Sequence, residues 1–376
     1  MSTTIEPKAF YDLLGDNDID LFAGVPDSLL ADLAAYIEAT SPAEKNIITA
    51  NEGNAVALAG GYHIATGKYA AVYLQNSGLG NTINPLLSLA DEAVYGLPML
   101  MIIGWRGEPG VKDEPQHVTQ GRLNNALLET MGVEYAVVDP ESWQSQVEWA
   151  VGRLHATSRP VALVVRKGTF AKYAPSERPT DLTLKREDAL EAIIDVIDAS
   201  DFIVSTTGKT SREVFEIRER RGEGHSQDFL TVGGMGHASS IAMGMALGTD
   251  RRVYCIDGDG AFLMHLGAAA ITAQKARENF RYVLINNGAH ESVGGQPTVA
   301  FDIDIPGVLK AVGFEDVETV RDPDDLPAAV TRLAENPRRA LVIEVAQGSR
   351  PDLGRPTTTP AQNKADMMRE FQAGRA

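Results

Sequence analysis

Short runs of Val, Ile, Leu and Ala alternate along this chain with longer stretches in which apolar residues recur every three or four positions. Repeated strand and helix periods of this kind predict βα units and parallel sheets. In the first half strands are expected over 19–25, 46–49, 69–74, 98–103, 135–138 and 161–165. In the second half they are expected over 202–205, 228–232, 252–256, 281–285, 316–320 and 340–345. Several of these are nearly unbroken aliphatic runs, as strands covered on both faces require. The chain therefore reads as α/β, with two doubly wound parallel-sheet domains of similar topology. The break between them falls at about 171–184, where Tyr173-Ala174-Pro175-Ser176-Glu177-Arg178-Pro179-Thr180 interrupts both periodicities. A helical pattern resumes at Arg186. The expected domains are 1–175 and 185–376, the second ending in an irregular Pro-, Thr- and Arg-rich segment over 348–360.

Composition narrows what such a chain can bind. Its 376 residues suffice for two cores, and 44% hydrophobic with 23% charged residues is a globular balance. A formal charge of -17 argues against nucleic acid or an anionic membrane as partner. An anionic substrate has to be held by a local cationic pocket against that field. No apolar stretch approaches the ~20 residues of a membrane span, and the first residues show no signal-peptide pattern, so a soluble, cytoplasmic protein is expected. The single cysteine, Cys255, lies in the apolar run Val253-Tyr254-Cys255-Ile256 and reads as a core residue in a reducing compartment.

That same run leads into the first candidate chemistry. It ends in Gly258-Asp259-Gly260, after which a helix begins, and the next strand ends in Asn286-Asn287-Gly288. In a parallel sheet these strand ends share one edge, where ligands bind. A carboxylate from Asp259 and an amide oxygen from Asn287 are hard ligands suited to Mg2+, which bridges to phosphate oxygens. Helix-terminal N–H groups favour the same anion. Asp-Gly and Asn-Gly are also ordinary turn formers, so neither pair alone is specific. Their order, each after a buried strand, is.

Gly-Asp-Gly followed by Asn-Asn resembles the metal and diphosphate motif of thiamine diphosphate-dependent decarboxylases. The resemblance extends to Gly233-Gly234-Met235-Gly236, upstream of the metal motif. It implies that Met235 wedges the cofactor's two rings into a V and that the Gly233 carbonyl accepts from the 4'-amino group. The loop holding Thr207, Gly208 and Lys209 resembles a second diphosphate cradle. In the first half, Asn51-Glu52-Gly53-Asn54-Ala55 follows the second expected strand. The resemblance makes Glu52 the carboxyl that bonds N1' of the aminopyrimidine. Such a group must be able to hold a proton, which apolar surroundings favour. On the residues alone, Glu52 reads more readily as a cap for a helix starting near Asn54.

With no long insertion between the halves, the chain is similar to the two-domain phosphonopyruvate and sulfopyruvate decarboxylases, without a central third domain. Gly24-Val25-Pro26-Asp27-Ser28, Arg106-Gly107-Glu108-Pro109-Gly110 with Gln116-His117, and Asn287 to Thr298 carry that likeness. It implies decarboxylation of 3-phosphonopyruvate to phosphonoacetaldehyde in phosphonate biosynthesis, with sulfopyruvate the alternative substrate. It also implies a homodimer or higher homo-oligomer whose sites are shared between chains, and the carbonyl of Ala289 as a further metal ligand beside Asp259 and Asn287. Candidates to meet the small anionic 2-oxo acid are Asp27, Ser28, His117 and His290, with Arg106, Lys112, Lys209 and Arg212 as cations for the phosphonate. His63, His155, His225 and His265 lack such context and read as structural. A nicotinamide dehydrogenase is the rival on fold alone, but Gly78-Leu79-Gly80 and Gly234-Met235-Gly236 both lack the third glycine of its fingerprint. A chain that keeps this fold without catalysis is the other rival, against which Glu52, Asp259 and Asn287 stand together.

Overall fold

A computed structural model describes residues 4–174 and 180–373 of the chain. Residues 175–179, on which the expected domain break falls, lie outside the described residues, as does the end of the expected second domain at 374–376. The chain divides into two compact units, one from each half, with Ser292–Gln296 counted in the first.

The first unit holds a six-stranded sheet of β1 (Ile19–Gly24), β2 (Asn46–Ile48), β3 (Tyr69–Gln75), β4 (Leu100–Gly104), β5 (Glu134–Val137) and β6 (Val161–Val165). The second holds β7 (Phe202–Ser205), β8 (Asp228–Leu230), β9 (Val253–Gly258), β10 (Phe280–Asn286), β11 (Asp316–Val320) and β12 (Arg339–Glu344). All pairings between these strands are parallel. The orders are β2-β1-β3-β4-β6-β5 and β11-β12-β10-β9-β7-β8. Counted from the first strand of each half, the second order read backwards is the first. Each expected strand lies within two residues of an observed one.

Each sheet is buried on both faces, and the strands show why their sequences are aliphatic throughout. Leu21 and Ala23 pack in one cluster with Leu74, Ile103 and Leu128, while Phe22 between them packs opposite, with Phe10, Trp143 and Leu163. In the second unit Tyr254 and Ile256 face one cluster, and Val253 and Cys255 the other. Both faces of a strand must then be apolar, so its period of two is erased. Cys255 is fully buried, and burial pushes its thiol well up.

The helices that carry or adjoin the candidate site residues follow strands. They are α1 (Glu52–Thr66) after β2, α2 (Pro115–Thr130) beyond β4, α3 (Lys209–Arg221) after β7 and α4 (Asp259–Met264) after β9. The segment from 348 to 359 is irregular, as its composition predicts. It is held by Arg350, which reaches Glu187 at 2.8 Å, and by the Gly354 N–H, 2.6 Å from Glu216. Helix α5 (Pro360–Ala373), which the pattern analysis did not single out, follows. Its Asn363 donates to the Asp228 carbonyl at 2.7 Å and accepts from the Leu230 N–H at 3.2 Å, so it satisfies the backbone of edge strand β8. Among the described residues, no helix is long and apolar enough to cross a membrane.

Candidate active-site residues at the strand ends

In the first unit β1 has β2 on one side and β3 on the other, so the loops leaving β1 and β3 diverge and open a crevice at their C-terminal ends. Asp27 follows β1 and is completely buried. It accepts from Gln75 at the end of β3 at 2.7 Å and from the Leu29 N–H at 3.2 Å. Burial pushes its carboxyl up, against the bond from Gln75 and the charge of Arg106. Gly104, at the end of β4, leaves the space its carboxylate needs, since a Cβ there would overlap Asp27. Arg106 follows β4 and donates to Ser28 Oγ at 2.8 Å and, through Nε, to Asp113 at 2.8 Å; a second nitrogen completes a fork on Asp113. Asp113 also accepts from the Gly107 and Glu114 N–H groups, both at 2.7 Å. Despite its burial, these donors hold Asp113 far below the usual carboxylate range.

His117 lies in the first turn of α2, buried, and burial together with the Arg106 charge pushes its pKa down. Among the described residues its Nδ1 has no hydrogen-bond partner. Lys112 is exposed.

Glu52 opens α1 instead of preceding it. The cap is Asn51, whose side chain accepts from the Asn54 N–H at 3.0 Å. The Glu52 carboxylate therefore does other work. It is 5% exposed, accepts from Asn81 Nδ2 at 2.7 Å, and lies where a side chain on Gly78 would be.

The second unit repeats the arrangement with other residues. Its switch point lies between β7, followed by Thr206 to Lys209, and β9, followed by Asp259. Gly208 has φ +96, a conformation open to glycine, and Lys209 begins α3. Lys209 Nζ is 2.8 Å from Glu291 Oε1. Arg212 lies half-buried one turn further on. The Gly233 to Gly236 turn follows β8, with positive φ at Gly234 and Gly236. A Cβ on Gly260 would lie 3.0 Å from the His290 ring and 3.2 Å from Met235 Cε, so these three residues share one small space. Burial pushes His290 down to about 4, leaving it neutral.

Asp259 is 3% exposed. Its donors are the Thr298 hydroxyl and backbone N–H groups that include that of Asn287, all of them neutral. Burial outweighs them and pushes its carboxyl up to about 6. A buried carboxylate among neutral donors fits a bound cation as its missing countercharge. Asn287, after β10, accepts from the Ala289 N–H at 3.1 Å and donates to Glu291 at 2.7 Å. Asn286 is engaged elsewhere, accepting from the Gly288 N–H at 3.0 Å. Among the described residues no three of His, Cys, Asp and Glu gather as a metal cluster. The oxygens described at this edge are the Asp259 carboxylate and the Asn287 amide, hard donors of the kind that suit a hard cation.

Of the remaining histidines, His63 and His155 bracket Tyr69, and His225 pairs with Glu219 at 2.7 Å. His265 packs where Gly236 lacks a side chain. Motif reading did not single out Gln75, Asn81, Asp113, Glu291 or Thr298. Each acts on a named residue distant in sequence or within a loop, and nothing in the local pattern marks it.

Comparison with known proteins bears on which chemistry this is. The thiamine pyrophosphate enzyme N-terminal TPP binding domain matches residues 7–128, and the corresponding C-terminal TPP binding domain matches 206–345. A phosphonopyruvate decarboxylase of Streptomyces viridochromogenes is 34% identical over 375 residues, spanning 93% of this chain and 90% of that protein. The chain belongs to the thiamine pyrophosphate enzyme family. A phosphonopyruvate decarboxylase of Streptomyces hygroscopicus is 34% identical over 368 residues, spanning 93% of this chain and 89% of that protein. A sulfopyruvate decarboxylase of Methanosarcina acetivorans is 28% identical over 337 residues, spanning 83% of the chain and 84% of that protein. The chain is a 2-oxo acid decarboxylase with both cofactor-binding domains of its family.

Proposed function

We propose that this chain decarboxylates 3-phosphonopyruvate to phosphonoacetaldehyde and CO2, as a step in phosphonate biosynthesis. The observation that carries the proposal is 34% identity to a phosphonopyruvate decarboxylase along 93% of the chain. In the reaction the bond between carboxylate and ketone carbon breaks, CO2 leaves, and that carbon takes up one proton. Bound thiamine diphosphate supplies the electron sink.

In this reading the chain's own groups do the rest. Glu52, in its pocket beside Gly78 and Asn81, holds and moves the proton at N1' of the aminopyrimidine. Asp259, Asn287 and the Ala289 carbonyl hold Mg2+ for the diphosphate, which Thr207, Gly208, Lys209, Gly258 and Gly260 surround. Met235 and the Gly233 carbonyl shape and orient the cofactor. Asp27, Ser28, His117 and His290 serve the substrate end, with Arg106 the cation already braced by Asp113 and Ser28. A cytoplasmic homo-oligomer with sites shared between chains belongs to the same reading; sedimentation with and without cofactor reads its size.

Comparing kcat/KM for phosphonopyruvate, sulfopyruvate and pyruvate, with CO2 release as readout, tests the substrate. Phosphonopyruvate is expected to lead. A lead for sulfopyruvate would favour the reading that its 28% identical relative suggests. A preference for pyruvate over both would remove the chain from this branch.

A further inference from the structure

One largely buried ionic group in the second unit joins residues that no motif connects. Glu291 lies four residues beyond Asn287 and accepts from its Nδ2 at 2.7 Å. The same carboxylate accepts from Arg186 Nη1 at 2.6 Å and Lys209 Nζ at 2.8 Å. Arg186 also forks onto Glu213, at 2.6 and 2.9 Å. Two carboxylates and two cations balance, as a buried set must. Both oxygens of Glu291 are thereby ion-paired, Oε2 with Arg186 and Oε1 with Lys209.

An ionised carboxylate only accepts hydrogen bonds, whereas an asparagine amide has a donor end and an acceptor end of nearly equal shape. The amide end that meets Glu291 must be the NH2. Oδ1 then turns away, toward the Ala289 N–H at 3.1 Å, with a second lone pair left over. The Asn287 backbone N–H donates to Asp259, so the two proposed metal ligands adjoin at the strand ends. Lys209 opens α3, so Glu291 also ties the loop after β10 to the loop after β7.

We propose that Glu291, held by Arg186 and Lys209, is a positioning residue that sets the Asn287 amide with its oxygen toward the bound metal. The inference rests on Asn287 being a metal ligand. Glu291→Gln keeps size and an acceptor for Arg186 but lets the Asn287 amide sit either way round.

Calorimetric titration of the full-length protein with Mg2+, in excess thiamine diphosphate, reads the effect without turnover. E291Q is expected to raise the Mg2+ Kd by about 10- to 100-fold, the usual cost of losing a partner of a metal ligand. The deciding comparison is with Asn287→Asp. Aspartate has no amide to orient, and its carboxylate would face that of Glu291 across the same short contact. In the N287D background E291Q should therefore tighten Mg2+ binding. A residue that only supports the fold would weaken binding in both backgrounds, and that result overturns the proposal. Glu213→Gln perturbs the same ionic group without touching Asn287, and should leave Kd within about threefold. A loss from E213Q as large as that from E291Q would also overturn it. If Asn287→Ala leaves Kd unchanged, the metal assignment itself fails. If N287A weakens binding while E291Q does not, only the positioning role fails.

Discussion

Replacing Gly78 by alanine tests Glu52 while leaving Glu52 in place. Gly78 has φ -79 and ψ -8, a helical conformation that alanine adopts without strain. A Cβ built there meets the Glu52 side chain, 2.6 Å from Cγ and closer still to Cδ and Oε1. Real Cβ contacts do not fall below 3.0 Å, so the carboxyl must swing aside. Any such movement disturbs its 2.7 Å bond with Asn81. The cost to folding is modest, because the group that moves is the end of a flexible side chain. An off-rotamer carboxyl costs about 1 kcal/mol, and the stiffer unfolded chain of the alanine variant offsets part of that. The cost to catalysis is large. Displacing a reacting group by about 1 Å lowers turnover by roughly 10²-fold. The assay is CO2 release at saturating substrate, cofactor and Mg2+, beside a thermal melt and a cofactor titration. The expected pattern is kcat down about 10²-fold with stability changed by about 1 kcal/mol or less and cofactor still bound. A G78A enzyme with near-normal kcat would refute the claim that the Glu52 carboxyl must sit where the structure puts it.

Further outcomes follow from neighbouring residues. Glu52→Ala should lower kcat by at least about 10²-fold with cofactor binding retained, the low end for an acid–base group; near-normal turnover with cofactor bound would remove Glu52 from the chemistry. Asp259 is raised to about 6 from 3.8, so in the cofactor-free chain its cost to folding is absent below the unfolded value, grows between the two, and is complete above about 6. Asp259→Asn should then stabilise the metal-free protein at pH 7.5 by up to about 3 kcal/mol but not at pH 4, while abolishing Mg2+ binding; equal melting of the two proteins at both pH values contradicts this. Arg106→Lys loses the fork on Asp113 and should raise KM for phosphonopyruvate about tenfold or more, the worth of a charged hydrogen bond. An equal loss with pyruvate would show that Arg106 does not read the phosphonate. Asn363→Ala strips two bonds from edge strand β8 and should cost about 1–3 kcal/mol in denaturant unfolding; an unchanged midpoint would mean that water replaces the side chain there.

The strands were legible because burial on both faces writes itself into sequence as aliphatic runs. The placement of Asp259 and Asn287 at strand ends was legible for a related reason, since each directly follows such a run. Helix starts were harder to read. Taken in isolation Glu52 could be read as a cap for a helix at Asn54, but Asn51 is the cap and Glu52 the first helical residue, which releases its carboxylate. Helix α5 went unmarked because the irregular segment before it carries the local signal. Least legible were the partners. Gln75 meets Asp27, and Asn81 meets Glu52, only because crossover connections bring those strand ends together. Gly78 drew notice as part of an incomplete nucleotide fingerprint, whereas its place in the structure is the room it leaves for a carboxylate.

The shared strand order means that every loop at the ligand edge of one half has a counterpart in the other. The slot after the first strand holds Asp27 and Ser28 in one half and Thr207 to Lys209 in the other. The second slot holds Glu52 or the Gly233 to Met235 turn, the third Gln75 to Gly78 or Asp259, and the fourth Arg106 or Asn287. Position in the scaffold therefore decides where a side chain is presented, and the residue placed there decides the chemistry. In the proposed function one half fills its slots for proton transfer and substrate, the other for phosphate and metal. An engineer wishing to move a function between the halves already has the matching addresses.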